Sequence, residues 1–286
     1  MWNDLDNARH FTEIDGSRMS FLDMGTGPAV LLGHSYLWAA DMWHDQMLAL
    51  SQRCRVIAPD LWGHGQSAAL PAQTTSLRDL AAQNLALMDR LGIDEFAIVG
   101  MSVGGMWGAE LALMQPRRVV ALALLGTFAG SEPPASKAQY FSLIDTVAAL
   151  GAVPDGVIDI MLPLFFGDES LAARTAVTDL FRTRLRQVDR DALNKSILPL
   201  GKMTFGRRDA LPDLKDLPIP SLVVTGAQDR SRPVHEGRLM AEVLGAKFVA
   251  LPATGHISPV ESPVEVTRLL DQFLQHVFNP ARSKAS

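Results

Sequence analysis

The stretch Ile98 to Met114, IVGMSVGGMWGAELALM, holds a serine between glycines directly after an apolar run. Gly100, Ser102 and Gly104 satisfy Gly-x-Ser-x-Gly. A serine hydroxyl can act as a nucleophile when a base takes its proton and an acid orients the base. The run Phe96 to Met101 reads as a strand and Val103 to Met114 as a helix, the strand-turn-helix setting of a nucleophile elbow. Gly104, Gly105, Gly108 and Ala109 let strand and helix approach closely while Ser102 takes a strained backbone.

The base and acid candidates lie far downstream. LPATGHISPVESP places His256 in a loop after the strand candidate Lys247 to Leu251, and VVTGAQDRSRP places Asp229 just past the strand candidate Ser221 to Gly226. In a doubly wound sheet, the loops at the carboxyl ends of the strands share one edge. Three chemically matched groups thus fall in three such loops, in the order Ser, Asp, His that accompanies this elbow. Two other serines compete for the role. Ser35, in LLGHSYL, has Leu37 where the second glycine would stand, and Ser67 follows His64 in the turn-rich DLWGHGQS. Neither is assigned as nucleophile.

The elements that must position these residues alternate along the chain. FTEIDGSRMSFLDMG reads as a hairpin with Asp15-Gly16 as its turn. Strand candidates follow at Ala29 to His34, Arg55 to Asp60, Phe96 to Met101 and Val119 to Gly126, with helices at Met42 to Leu50, Leu77 to Leu91 and Val103 to Met114. Continuous apolar strands separated by helices imply a parallel sheet covered on both faces. From about Phe128 to Phe205 the rhythm changes. Helices are expected at Lys137 to Leu150, Val157 to Phe165, Ser170 to Val188 and Asp191 to Leu198. Strand and helix then resume with Ser221 to Gly226, Val234 to Leu244, KFVALP and Pro263 to Val277. A helical segment is therefore expected as an insertion in one α/β domain, a common way of building a lid over a site.

Composition narrows the classes. The 286 residues are 48% hydrophobic and 20% charged, with a net charge of -5. That is an ordinary globular composition without the basic footprint of a nucleic-acid binder. Cys54 is the single cysteine, so an internal disulfide and a cysteine-built zinc site are both excluded. The apolar runs are too short to span a bilayer. MWNDLDNARH has acids where a leader would carry basic residues, and a cytoplasmic protein with no membrane association is expected.

The segments VLLGHSYLWAADMW, RVIAPDLWGHGQS, IVGMSVGG, VVTGAQDRSRP and LPATGHISPVESP resemble the α/β-hydrolase superfamily, and the resemblance runs over nearly the whole chain. It implies an eight-stranded, mostly parallel sheet with strand two antiparallel. It implies a core of residues 1–127 and 206–286 with a helical cap of 128–205. It also implies nucleophile Ser102, acid Asp229 and base His256. Some members place the acid after strand six; LLGTFAG has no acid before Glu132, which favours Asp229. Members that dehalogenate carry aspartate at the nucleophile position, and Ser102 argues against that chemistry.

An oxyanion hole needs two donors. Val103, after the nucleophile, supplies one N–H. By resemblance Tyr36 in His34-Ser35-Tyr36 supplies the other, with Ser35 or Leu37 as alternatives because Ser35 replaces the usual glycine. His34 is read as structural. The substrate pocket is expected from Leu37, Trp38 and Ile257 of the core and from Phe128, Phe141 and Phe165, with Leu164, Phe166 and Met203 as further candidates. Arg207 and Arg208 are read as solvated surface. The expected activity is hydrolysis of small to medium carboxylic esters through an acyl-enzyme, with no metal or organic cofactor. The alternatives are a lactonase, including an enol-lactone hydrolase, a carbon–carbon bond hydrolase, or a ligand receptor that retains the triad without turnover. The expected partner is a small-molecule ester or lactone, and no oligomeric state is assigned.

Overall fold

Eight strands form one sheet: β1 (Arg9–Ile14), β2 (Ser17–Met24), β3 (Ala29–Gly33), β4 (Arg55–Pro59), β5 (Phe96–Met101), β6 (Val119–Leu125), β7 (Ser221–Gly226) and β8 (Lys247–Leu251). The computed structural model describes residues 3–279, so Met1, Trp2 and the final 280–286, which the sequence reading assigned to the core, lie outside the described residues. The strand order is β1-β2-β4-β3-β5-β6-β7-β8. β2 runs antiparallel to β1 and β4, and the remaining neighbours pair in parallel. The β1–β2 turn uses Asp15 at φ 51° and Gly16 at φ 75°, the left-handed pair that a two-residue hairpin of this twist requires.

Alternation along the central strands divides the core into two layers. Ile98 packs with Leu80, Leu87, Met106 and Leu111 from helices Leu77–Arg90 and Val103–Met114. Its neighbours Ala97 and Val99 pack with Met47, Leu50, Leu269 and Leu270 from helices His44–Leu50 and Pro263–Phe278. A side-chain period of two with both faces buried explains why β5 and β6 read as unbroken apolar runs.

Between β6 and β7 the chain passes through helices Pro134–Leu150, Asp155–Phe165, Asp168–Ala172 and Ala176–Gln187, then a run from Arg190 to Phe205 with a π turn at Leu193–Ile197. The single helix expected at Ser170 to Val188 is broken. Arg174 sits at φ 44°, and the Thr175 hydroxyl caps a new helix by accepting the Thr178 N–H at 3.4 Å. A local side-chain bond here outcompetes helix continuation. The last helix extends beyond the expected Leu198 to Phe205. Among the described residues, no helix is long and apolar enough to cross a membrane.

The turn after β3 is braced by two buried histidines. His34 donates through Nδ1 to the Ser35 carbonyl at 2.7 Å and accepts the Leu61 N–H on Nε2 at 2.8 Å. His64 donates through Nδ1 to the Trp62 carbonyl at 2.9 Å and accepts the Leu37 N–H on Nε2 at 3.1 Å. Each ring therefore works as a neutral imidazole, one nitrogen donating and one accepting. Burial pushes His34 down from 6.5 to about 4 and His64 down from 6.5 to about 3. As pH falls through these windows, the unfolded chain binds protons that the folded chain does not, so stability is lost. The urea midpoint of the protein should accordingly fall between pH 6.5 and pH 4. His64→Gln, which keeps an acceptor for the Leu37 N–H, should flatten that slope. An identical slope in wild type and variant would contradict a neutral, buried His64.

Candidate active site

Ser102 closes β5 at φ 54° and ψ -121°, a conformation that non-glycine residues rarely hold without external support. The support is visible. Its N–H donates to the Leu125 carbonyl at 3.0 Å, and its own carbonyl accepts from Gly105 N at 2.9 Å, Met106 N at 3.1 Å and the Thr127 hydroxyl at 2.6 Å. The glycines of the motif serve close approach. A Cβ on Gly104 would lie 2.1 Å from the Gly33 oxygen, and one on Gly100 would lie 2.4 Å from the Gly105 Cα.

Val103 opens the following helix, so its N–H has no intrahelical acceptor. The His34–Leu37 turn follows β3 directly, and it holds the three N–H groups, of Ser35, Tyr36 and Leu37, among which the resemblance leaves the second donor. Ser35 donates to Met42 Sδ at 3.4 Å and Leu37 donates to His64. Tyr36 is left with an N–H that meets no acceptor among the described residues. Its hydroxyl is occupied, donating to the Ile197 carbonyl in the π turn at 2.7 Å.

Asp229 and His256 come from the loops after β7 and β8 and are 5% and 1% exposed. His256 donates through Nδ1 to Asp229 Oδ2 at 2.8 Å. A carboxylate only accepts, so Nδ1 carries a proton, and in the neutral ring Nε2 keeps its lone pair. The other carboxylate oxygen, Oδ1, accepts from Ser231 N at 2.9 Å and Arg232 N at 2.7 Å. The His256 loop is clasped by the insertion. The Phe165 carbonyl accepts from His256 N at 3.1 Å and Ile257 N at 3.2 Å, and the Phe165 ring meets the imidazole edge-on at 5.5 Å. Glu261 adds a second clasp, accepting from Gly167 N and the Ser170 hydroxyl, each at 2.8 Å. Burial raises the pKa of its carboxyl.

Ser102 and His256 line one cavity of about 80 Å³. No hydrogen bond joins Ser102 Oγ to His256 among the described residues; catalytic hydrogen bonds of this kind often tighten only in the complex with substrate. Tyr36, Leu37, Met106, Ser231 and Arg232 line it from the core, and the insertion contributes a mostly apolar wall that includes Tyr140, Leu143, Ile144, Val147, Met161, Leu164, Phe165 and Leu185. No group of three or more histidine, cysteine or acidic residues placed to hold a metal ion occurs among the described residues.

The residues expected on the pocket wall divide between this cavity and other places. Leu37, Leu164 and Phe165 lie on it, whereas Trp38, Phe128, Phe141, Ile257, Phe166 and Met203 do not. Trp38 stacks on Phe181 at 5.5 Å and faces a neighbouring cleft. Phe128 sits in the neck after β6, its carbonyl taken by Arg207 Nε at 3.2 Å. Phe141 is one step round its helix from the stripe Tyr140, Ile144, Val147 and lies under Lys137. Ile257 is fully buried in the sheet core, as is Phe166. Met203 packs against the other core layer. The i, i+4, i+7 stripe Tyr140, Ile144 and Val147 marks the face of that helix that lines the cavity. Arg207, expected on the surface, is buried and bonded to Glu132, while Arg208 reaches Glu110 and Asp213. Glu132, the alternative acid, spends both carboxylate oxygens on Arg207 and Arg232.

Comparison with known proteins agrees with this architecture. Residues 28–263 match the α/β hydrolase fold family. The chain is 30% identical over 272 residues to the dihydrolipoyllysine-residue acetyltransferase component of the acetoin-cleaving system of Cupriavidus necator, covering 93% of this chain and 69% of that protein. Among solved structures it is similar to a thermophilic esterase from Thermogutta terrifontis, with a TM-score of 0.84, 26% identity and coverage of 94% of this chain and 99% of that one. It is similar also to the enol-lactonase of Burkholderia xenovorans, with a TM-score of 0.81, 25% identity and coverage of 93% and 100%. With the sheet order, the strained serine turn and the matched span in agreement, the chain belongs to the α/β hydrolase fold family, a family of hydrolases.

Proposed function

We propose that the protein is a serine hydrolase that cleaves small to medium carboxylic esters, lactones included, with Ser102 as nucleophile, His256 as base and Asp229 as the orienting acid. The observation that carries this reading is the buried His256–Asp229 bond of 2.8 Å on a cavity shared with a strained, nearly buried serine. The similarity to an esterase and to an enol-lactonase supports the same class of bond.

In this mechanism the Ser102 hydroxyl passes its proton to His256 Nε2 as Oγ attacks the ester carbonyl carbon. The carbonyl electron pair moves onto oxygen, and the N–H groups of Tyr36 and Val103 receive the oxyanion. Asp229 stabilises the imidazolium without taking its proton. The tetrahedral intermediate collapses, the carbon–oxygen bond to the alcohol breaks, and His256 returns the proton to the leaving oxygen. Water then gives a proton to His256 and attacks the acyl-enzyme, releasing the acid and restoring Ser102. No step calls for a metal or an organic cofactor. Residues 128–205 act as a cap: their apolar wall excludes water and seats the acyl group. The mostly apolar lining of the cavity suits an apolar acyl group or ring.

Ser102→Ala should lower kcat for an aryl ester by about four to six orders of magnitude, His256→Ala by a similar factor, and the double variant by little more. A folded Ser102→Ala protein within about tenfold of wild-type kcat would remove the proposed nucleophile. The cavity wall gives a separate test. Leu143→Ala and Met161→Ala enlarge it and should shift the kcat/KM ratio toward longer acyl esters by about tenfold, which corresponds to one to two buried methylenes. Phe141→Ala, off the wall, should leave the ratio at its wild-type value while lowering the melting temperature. The reverse pattern would place the acyl group elsewhere.

A further inference from the structure

Glu132, Arg207 and Arg232 form a buried chain of charges beside Asp229. Glu132 lies in the neck that leaves β6 for the insertion, Arg207 in the neck that returns from it, and Arg232 in the Asp229 loop. The Glu132 side chain is 0% exposed, and those of Arg207 and Arg232 are 3% exposed. Glu132 accepts from Arg207 Nη1 at 2.7 Å and from Arg232 Nη2 at 2.5 Å. Arg207 also donates to the carbonyls of Phe128 at 3.2 Å and Thr204 at 2.9 Å, and Ala210 N donates to the Ala129 carbonyl at 3.0 Å. The two necks are thereby joined to each other. Arg232 reaches the next carboxylate, Glu236, at 3.5 Å.

The same Arg232 holds the acid through its backbone. Its N–H donates to Asp229 Oδ1 at 2.7 Å, while Oδ2 receives His256. Of the two bonds that fix the rotation of the carboxylate, from the N–H groups of Ser231 and Arg232, the shorter thus comes from a residue anchored by its guanidinium to Glu132. Taking ions out of water is expensive, and well-packed apolar residues commonly replace a buried ion pair without loss of stability. Stability alone does not account for this chain; its geometry does, because every member ends on a segment that frames the site.

We propose that Arg232 is a positioning residue. Anchored by Glu132, it sets the rotation of the Asp229 carboxylate that keeps His256 in its bond, and through Glu132 and Arg207 it ties that rotation to both necks of the insertion. The proposal rests on the reading of Asp229 as the orienting acid.

The test is a mutant cycle on the full chain, with 4-nitrophenyl acetate as probe. Glu132→Leu combined with Arg232→Met removes both charges together and should keep the melting temperature near that of wild type. Its kcat should fall by about ten- to a hundredfold, the scale of a small misplacement at a reacting centre, and by more than KM rises, Arg232 being also part of the cavity wall. In an Asp229→Asn background, the same pair of substitutions should change kcat by less than about twofold, because the group it acts through is already lost. Should the pair fail to fold, Glu132→Gln, nearly isosteric, runs the same cycle. Wild-type kcat in the folded pair variant would overturn the proposal, as would an equal fold-loss in both backgrounds. Wild-type kcat in Asp229→Asn alone would overturn it together with the reading of Asp229, whereas a sharp loss there with additive effects elsewhere would overturn the positioning role only.

Discussion

The structure depends on one steric fact: at Gly33, Gly100 and Gly104 the backbones of β3, β5 and the helix after it come too close for any side chain. The contacts a Cβ would make at Gly104 and Gly100, 2.1 Å and 2.4 Å, are inside any tolerable distance. That crowding turns the chain sharply and leaves Ser102 at φ 54°. A strained conformation persists only when its surroundings over-determine it. Four hydrogen bonds to the Ser102 peptide groups, one of them from the Thr127 hydroxyl of the next strand's loop, do so here. The same close approach sets the His34–Leu37 turn beside the start of the helix, so that the Tyr36 and Val103 N–H groups belong to neighbouring segments.

The helical insertion belongs to the frame. Its Phe165 carbonyl accepts the two N–H groups at the end of the His256 loop, and its Ile197 carbonyl accepts the Tyr36 hydroxyl. Glu261 fastens the start of a further insertion helix, and Glu132 and Arg207 join the two necks. Each clasp ties a segment of the insertion to the core or to its own neck. The wall that these clasps hold in place is mostly apolar.

Much of this was legible in the sequence. The strands of the sheet read as apolar runs because both faces are covered, the Asp15-Gly16 turn was plain, and Gly-x-Ser-x-Gly carried its own steric meaning. The pairing of Asp229 with His256 followed from their places at strand ends. What failed to read across had one cause: a side chain's neighbours are set by how distant segments pack, which no local pattern encodes. Phe141 shares the apolar character of Ile144 and Val147 yet lies a step off their stripe. Arg207 looks like surface in a polar stretch and becomes buried only because Glu132, 75 residues earlier, folds against it. The choice among Ser35, Tyr36 and Leu37 as the second donor needed the partner of each N–H, above all the His64 acceptor contributed by another loop.

The central claim is that these constraints make Ser102 a nucleophile served by His256. The most direct measurement is reaction with a fluorophosphonate probe followed by peptide mass spectrometry. The account predicts a single adduct on Ser102 in the wild-type protein and a labelling rate that collapses in His256→Ala. An adduct on Ser35 or Ser67, or labelling of Ser102 that is indifferent to the loss of His256, would contradict it.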